Sequence, residues 1–328
     1  MIEAFITVND RLEPVQNLTE KGVWINLINP SDTELYYVST QTGAGMDLLK
    51  TALDEEERSR IEVDSGHLLI LINIPVVADS SARLLYDTLP LGIIVSSDFI
   101  VTICLKDNPI IDEMEYSKDP SFHTFKHTRF VLQILFKTAY YYLRYLKHID
   151  RKSGEIEALL HKSMKNEELL KLLDLEKSLV FFTTSLKANE IVMEKLLRVQ
   201  LRASRKSDDP DLVATSQILQ MYPDDEDLLE DVITENKQAM EMCQTYSDIL
   251  SGMMDAFASI ISNNLNIVMK FLTSITIIMA LPTMVASFFG MNVAIPFQES
   301  PYGFLLIIAI SILLSATGFI LLKRRNMF

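Results

Sequence analysis

The sequence predicts an α+β membrane protein: an N-terminal α/β domain on the cytoplasmic side, a long helical stalk and two C-terminal transmembrane helices. Three observations carry this. Short β-branched runs alternate with turns over the first part of the chain, helical periodicity then takes over almost without Gly or Pro, and two charge-free runs follow near the C-terminus. Those runs, 271–298 and 300–322, each exceed the roughly 20 apolar residues that cross a bilayer core. A chain of 328 residues, 48% hydrophobic and 23% charged, is not a disordered or collagen-like polymer. With 44 acidic against 30 basic residues the net charge is −14, which repels nucleic acid and excludes it as a general partner. Cys104 and Cys243 are far apart and belong to no CxxC pair, so neither a disulfide framework nor a zinc site is expected.

The first segment, 1–120, reads as the α/β domain. Its apolar runs are Phe5-Ile6-Thr7-Val8, Val23-Trp24-Ile25-Asn26-Leu27, His67-Leu68-Leu69-Ile70-Leu71-Ile72, Leu91-Gly92-Ile93-Ile94-Val95 and Phe99-Ile100-Val101-Thr102-Ile103. Between the second and third, Ser31 followed by Glu34 has capping-box spacing and predicts a helix start. Ser96-Ser97-Asp98 between two apolar runs predicts a hairpin. In the next segment, 121–222, the stretches 132–165 and 167–205 predict two antiparallel helices, and Ser207-Asp208-Asp209-Pro210 predicts a loop.

Pro223 opens the stalk, 223–270, and the acidic run Asp224-Asp225-Glu226-Asp227 suits a helix N-terminus. These carboxylates are expected on a solvated face. Leu229, Ile233, Asn236, Met240, Cys243, Ser247, Leu250, Met254, Phe257, Ile261, Asn264 and Val268 form a stripe of coiled-coil period. No proline interrupts it before Pro282, so one helix of roughly 100 Å is predicted to run into the membrane. A rod of that length needs partners, which predicts an oligomer.

The first span is placed at 271–289, an outer loop at 290–301, the second span at 302–322 and a basic tail at 323–328. Lys270 precedes the first span and Lys323-Arg324-Arg325 follow the second, while the loop between carries no Lys or Arg. The positive-inside rule then puts both termini in the cytoplasm of a cell membrane. No cleaved signal peptide is expected from Met1-Ile2-Glu3-Ala4-Phe5. Within and just before the first span, Asn266, Met269, Thr273, Thr276, Ala280, Thr283 and Ser287 recur by threes and fours, a polar or small stripe on one helix face. Spacing alone leaves helix packing and pore lining equally open for it.

The span ends in Phe289-Gly290-Met291-Asn292, ahead of a second span and a basic tail. This resembles the CorA family of magnesium channels, whose signature is an aromatic residue followed by Gly-Met-Asn at the outer end of the first of two C-terminal spans. Two further stretches, Leu175-Glu176-Lys177-Ser178-Leu179-Val180-Phe181-Phe182-Thr183-Thr184-Ser185-Leu186-Lys187 and Leu228-Leu229-Glu230-Asp231-Val232-Ile233-Thr234-Glu235-Asn236-Lys237-Gln238-Ala239, are also similar to the family. The resemblance covers the whole chain, strongly from Phe130 onward. It implies a homopentamer in the lipid bilayer, with the first span lining a central pore for Mg2+, as transported and regulatory ion, and for Co2+ or Ni2+ as close relatives in size. It assigns Gly290, Met291 and Asn292 to a selectivity filter, with Phe289 in place of the commoner Tyr. It assigns Asn266, Met269 and Leu272 to a cytoplasmic constriction, and Asp255 to a regulatory metal site at the subunit interface. Asp87 of the neighbouring α/β domain is the candidate second ligand, with Asp64 not clearly behind it.

The chemistry fits that reading. Mg2+ demands octahedral oxygen and gives up water reluctantly, so neutral oxygens offered to a hydrated ion suit a selective entrance. Neither span contains Asp or Glu, which points away from proton coupling and toward the membrane potential as the driving force. No enzyme is expected. The histidines His67, His123, His127, His148 and His161 form no ligand or triad pattern, and His123 and His127 read as surface residues. Two alternatives stay open, a zinc or cobalt transporter of the same superfamily and a tail-anchored coiled-coil structural or signalling protein.

Overall fold

The computed structural model describes residues 1–78, 84–116, 122–163, 166–203, 210–291, 302–325 and 327. Their contacts divide the chain into two compact units, Met1–Gly252 and Met253–Phe328. In the first unit a seven-stranded sheet is built from β1 (Ile2–Val8), β2 (Arg11–Pro14), β3 (Val23–Ile28), β4 (Arg60–Asp64), β5 (His67–Val77), β6 (Tyr86–Val95) and β7 (Phe99–Cys104). The spatial order is β2-β1-β3-β7-β6-β5-β4, antiparallel throughout except for the β3–β7 pair. All five expected strands are present.

Alternation of side chains sorts the sheet's two faces. Leu68, Ile70, Ile72, Leu91, Ile93 and Ile100 point into one core, while Leu69, Leu71, Ile94, Val101 and Ile103 point into the other. Because the central strands are covered on both sides, they read as continuous apolar runs rather than as alternating ones. Helices α1 (Asp32–Thr42) and α2 (Met46–Thr51) cover the second face, and the predicted capping box closes α1: Glu34 N–H donates to Ser31 Oγ, and Ser31 N–H donates to Glu34 Oε2. Gly92 is required where α2 meets the sheet, since a Cβ there would lie 2.5 Å from Ala52 Cβ. The single tryptophan belongs to the first core, against Phe5, Phe122 and Phe130, and its Nε1 donates to Thr102 Oγ1.

That face carries α3 (Pro109–Glu115), α4 (His127–Ser163), α5 (Asn166–Ala203), α6 (Pro210–Ile218) and the start of α7 (Pro223–Phe289). Helices α4 and α5 form the expected antiparallel pair: Tyr142 meets Phe182 edge to face, and the start of α4 shares a core with Val192, Met193 and Leu196 near the end of α5. Pro210, expected in a loop, opens α6, as a residue without an N–H suits a helix start. The rest of that expected loop, 207–209, lies outside the described residues.

Four further expectations are corrected. Strands β2 and β4 were not expected, because their polar sequences are those of sheet edges. The α7 stripe is partly used within the chain: Asn236 Nδ2 donates to Leu186 O, and Cys243 Sγ lies 3.1 Å from Leu179 O, so these two positions pack on α5, while Ile233, Met240 and Ser247 are half-buried. Asp225 is not on a solvated face but buried, accepting from Tyr222 N–H and sitting 3.5 Å from Arg129. His123 and His127 are partly buried: Nε2 of His123 lies 3.7 Å from Asp10, and burial pushes the His127 imidazole below its usual range.

Burial, a hydrogen bond with Asp107 and the charges of Asp107 and Glu3 push the Asp112 carboxyl, in the first turn of α3, up to about 6. A native state that holds this proton more tightly than the unfolded chain is favoured fully below about pH 4 and loses that increment as pH rises through 6. Asp112→Asn is therefore expected to raise the unfolding midpoint at pH 8 and to change it little at pH 4. Solvent screening of so open a group holds the effect to about 1 kcal/mol. Equal shifts at both pH values in thermal melts would rule out the carboxyl pair as the cause.

Candidate functional site

Among the described residues, two helices are long and apolar enough to cross a membrane, the second half of α7 and α8 (Gly303–Arg324). Both ends of α8 and the outer end of α7 lie within two residues of the expected spans. Within the second unit the two pack closely because Gly318 lacks a side chain: a Cβ there would sit 2.9 Å from Leu281 Cδ1. The α7 side turned to its partner is marked by Ser274 and Val285, which are buried, and by Ile278, Leu281 and Pro282, which are half-buried. Ser274 is fully buried and donates to Met327 O at 3.1 Å.

Asn266, Met269, Leu272, Thr273, Thr276, Ala280, Thr283 and Ser287 are all exposed. At 3.6 residues per turn they fall on the side of α7 opposite the one that packs on α8. The stripe is thus not what joins the two spans, so one form of the packing alternative, packing within the chain, is excluded. Its hydroxyls have a defined polarity. Thr276 donates to Leu272 O at 2.8 Å and Thr283 to Met279 O at 3.0 Å, so each spends its proton on the helix backbone. What these side chains present outward is lone pairs, the complement of the donating water shell of a hydrated cation.

At the outer end, Gly290 N–H donates to Ala286 O at 2.9 Å and Met291 N–H approaches Phe288 O at 3.5 Å, which closes the last turn of α7. A Cβ on Gly290 would stand 3.2 Å from Ala286 O, tight enough that a larger residue would push this turn open. Gly290 and Met291 are exposed, at the helix end where the backbone dipole is negative and attracts cations. Asn292 lies outside the described residues.

Asp255 is exposed on α7 in the second unit. In the first unit, Asp87 on β6 is half-buried and accepts from its neighbour's amide, Thr88 N, at 2.8 Å; Asp64, at the end of β4, is exposed and accepts from Ser65 Oγ. No three His, Cys, Asp or Glu side chains among the described residues converge as a metal cluster. The structure adds three residues that pattern reasoning did not single out: Ser274, Gly318 and Leu281. The signal for the glycine was its place in an apolar 20-mer, where small residues mark helix contacts.

Comparison with known proteins gives the lineage. Residues 19–324 match the model of the CorA-like Mg2+ transporter protein family. The cobalt/magnesium transport protein CorA of Methanocaldococcus jannaschii is 28% identical over 312 residues, covering 94% of this chain and 92% of that one. The complete structure of the CorA magnesium transporter from the same organism superposes with a TM-score of 0.81 at 25% identity, covering 100% of this chain and 99% of that one. The cytoplasmic domain of ZntB from Vibrio parahaemolyticus shares the fold at a TM-score of 0.56 and 12% identity, over 80% of this chain and 96% of that one. A family match spanning almost the whole sequence, together with two apolar helices and a cytoplasmic-type α/β domain in the same order, means that the chain belongs to the CorA-like Mg2+ transporter family.

Proposed function

We propose that this protein is a homopentameric, multi-pass membrane channel that carries hydrated Mg2+ into the cell down the membrane potential and is closed by cytoplasmic Mg2+. As a member of a transporter family it is not an enzyme. The observation that carries the reading is the acceptor-bearing face of α7, exposed and opposite the side that packs on α8. Five such faces around an axis make a neutral, oxygen-lined path through Thr273, Thr276, Ala280, Thr283 and Ser287. Gly290, Met291 and Asn292 form its outer filter. Asn266, Met269 and Leu272 form the inner constriction, where rings of Met and Leu close a pore by dewetting. A divalent ion gains about 5 kcal/mol per 100 mV, enough to drive uptake without a proton-coupling carboxylate. Asp255 and Asp87 of adjacent subunits supply the regulatory ion site, with Asp64 as the alternative to Asp87.

Flux into proteoliposomes at a set potential, comparing Mg2+, Co2+, Ni2+ and Zn2+, tests the reading. Mg2+ influx should rise with inside-negative potential, Co2+ and Ni2+ should follow it, and the reconstituted particle should weigh five chains. Zn2+ flux without Mg2+ flux would move the protein to the zinc branch. No flux of any of the four would leave a structural or signalling role.

A further inference from the structure

Beyond α8, Met327 reaches back to the first span. Arg325 N–H donates to Leu321 O and Leu322 O, Met327 N–H donates to Leu322 O at 3.2 Å, and Met327 O in turn accepts from the buried Ser274. Ser274 stands one turn beyond Lys270 on the same side of α7, so the hydrogen bond places Lys270 at the same end of the helix pair as Lys323, Arg324 and Arg325, which fan around the end of α8. All four are exposed, and among the described residues none of them has an ion-pair partner. Four exposed cations with no ion-pair partner among the described residues are, on a protein of net charge −14, a local exception. They lie at the boundary where two charge-free spans end.

A second feature adjoins them. Between α7 and α8 runs an apolar groove of about 700 Å3, lined by Ile278, Pro282, Ala286, Ile308, Ala316 and Phe319 among others. Ile278 and Phe319 place its inner end about one turn from Ser274 and Leu322. Phosphate chemistry at one end and an alkyl-lined channel leading from it into the hydrocarbon layer are the two halves of one ligand.

We propose that the basic end of the α7–α8 pair is a binding site for an anionic phospholipid, whose phosphate is held by Lys270, Lys323, Arg324 and Arg325 and one of whose acyl chains occupies the groove. A lipid, unlike a soluble phosphate, uses both features. The four side chains are donors only, so charge is what they select. Ser274 is a positioning residue: it carries no charge itself but holds the tail that does.

Native mass spectrometry of the full-length protein, with phosphatidylglycerol and phosphatidylcholine of identical acyl chains in competition, provides the test. The wild type should retain phosphatidylglycerol in preference. Each cation removed, as in Lys270→Gln or Arg325→Gln, should lower that preference about five-fold. Ser274→Ala, which keeps every charge, should lower it as well, and Ala316→Leu should weaken both lipids alike by filling the groove. Lys270→Arg, which retains the charge, should keep the preference and so separates charge from folding damage. Equal retention of the two lipids by the wild type would overturn the proposal, as would an undiminished preference in the Lys270→Gln, Arg325→Gln double variant. Inorganic phosphate displacing the lipid at millimolar concentration would also overturn it, by making the site one for soluble anions. None of these readouts depends on ion flux, so their failure leaves the transport reading untouched.

Discussion

Asn292→Ala is expected to abolish Mg2+ uptake while leaving assembly intact. In the proposed pentamer the change removes one carboxamide per subunit, and with it the proposed ring of five neutral oxygens at the outer mouth. A hydrogen bond to a charged group is worth about 1.5–3 kcal/mol, so losing even two of five lowers occupancy of the entrance by more than about a hundred-fold. A hydrated ion that is no longer held there has to shed water before any compensating ligand is reached, and Mg2+ does this reluctantly. The measurement is growth of a magnesium-auxotrophic strain, with the pentamer content of its membranes as the control for assembly. Wild-type growth on limiting Mg2+ would sink the filter assignment. Gly290 offers a graded companion, because a β-carbon 3.2 Å from Ala286 O distorts the last turn of α7 without removing any side-chain ligand.

In the proposed pore, the acceptor face below that mouth works differently from a binding cage. Thr276 and Thr283 keep their protons on the backbone and offer lone pairs to water, not bare oxygen to the metal. Held through its water shell, an ion sits in a shallow well and leaves again, which conduction requires. A ring of carboxylates would bind more tightly and pass ions more slowly. The absence of Asp and Glu from both spans is in this sense part of the proposed transport chemistry.

How far these features were legible in the sequence depended on which force wrote them. Strands buried on both faces, such as β5 and β7, stand out as nearly continuous apolar runs, because burying each Ile or Leu is worth about 1.5–3 kcal/mol and a polar residue is admitted only with hydrogen-bond partners, as at Asn73 and Thr102. The edge strands β2 and β4 escaped, since Arg11-Leu12-Glu13-Pro14 and Arg60-Ile61-Glu62-Val63-Asp64 need only one apolar flank. A signal was there in their turns. Asn9-Asp10 and Ser65-Gly66 both take positive φ at two successive residues, the geometry that two-residue hairpins require, and such residue pairs are turn formers. The α7 stripe was legible as a stripe but not as to its partner. A three-four period records that a helix packs, and it says nothing of whether the other surface is α5 of the same chain, as at Asn236 and Cys243, or a second copy. Likewise the polar face of the first span was visible from spacing, yet only the position of α8 decided that it was not the contact between the spans.

Asp255 tests the regulatory half of the proposal. If it contributes to an inter-subunit site, cytoplasmic Mg2+ binds the closed state more tightly than the open one and shifts the population toward closed. Moving such an equilibrium from mostly open to almost wholly closed takes a differential affinity of about 10⁴, and removing one carboxylate ligand from each site reduces that factor sharply. Asp255→Ala should therefore conduct at Mg2+ concentrations that shut the wild type, and protection from protease by high Mg2+ should fall with it. The exposure of Asp255 in the single chain leaves its carboxylate available to a neighbour, but repulsion alone could make it sensitive to Mg2+ through screening. Asp255→Lys separates the two roles. A lysine supplies the neutralising charge internally, so a screening site closes without the ion, whereas a true ligand site loses its Mg2+ response and stays open. If both variants keep wild-type inhibition in patch recordings, Asp255 is a solvated stalk residue and the sensor lies elsewhere.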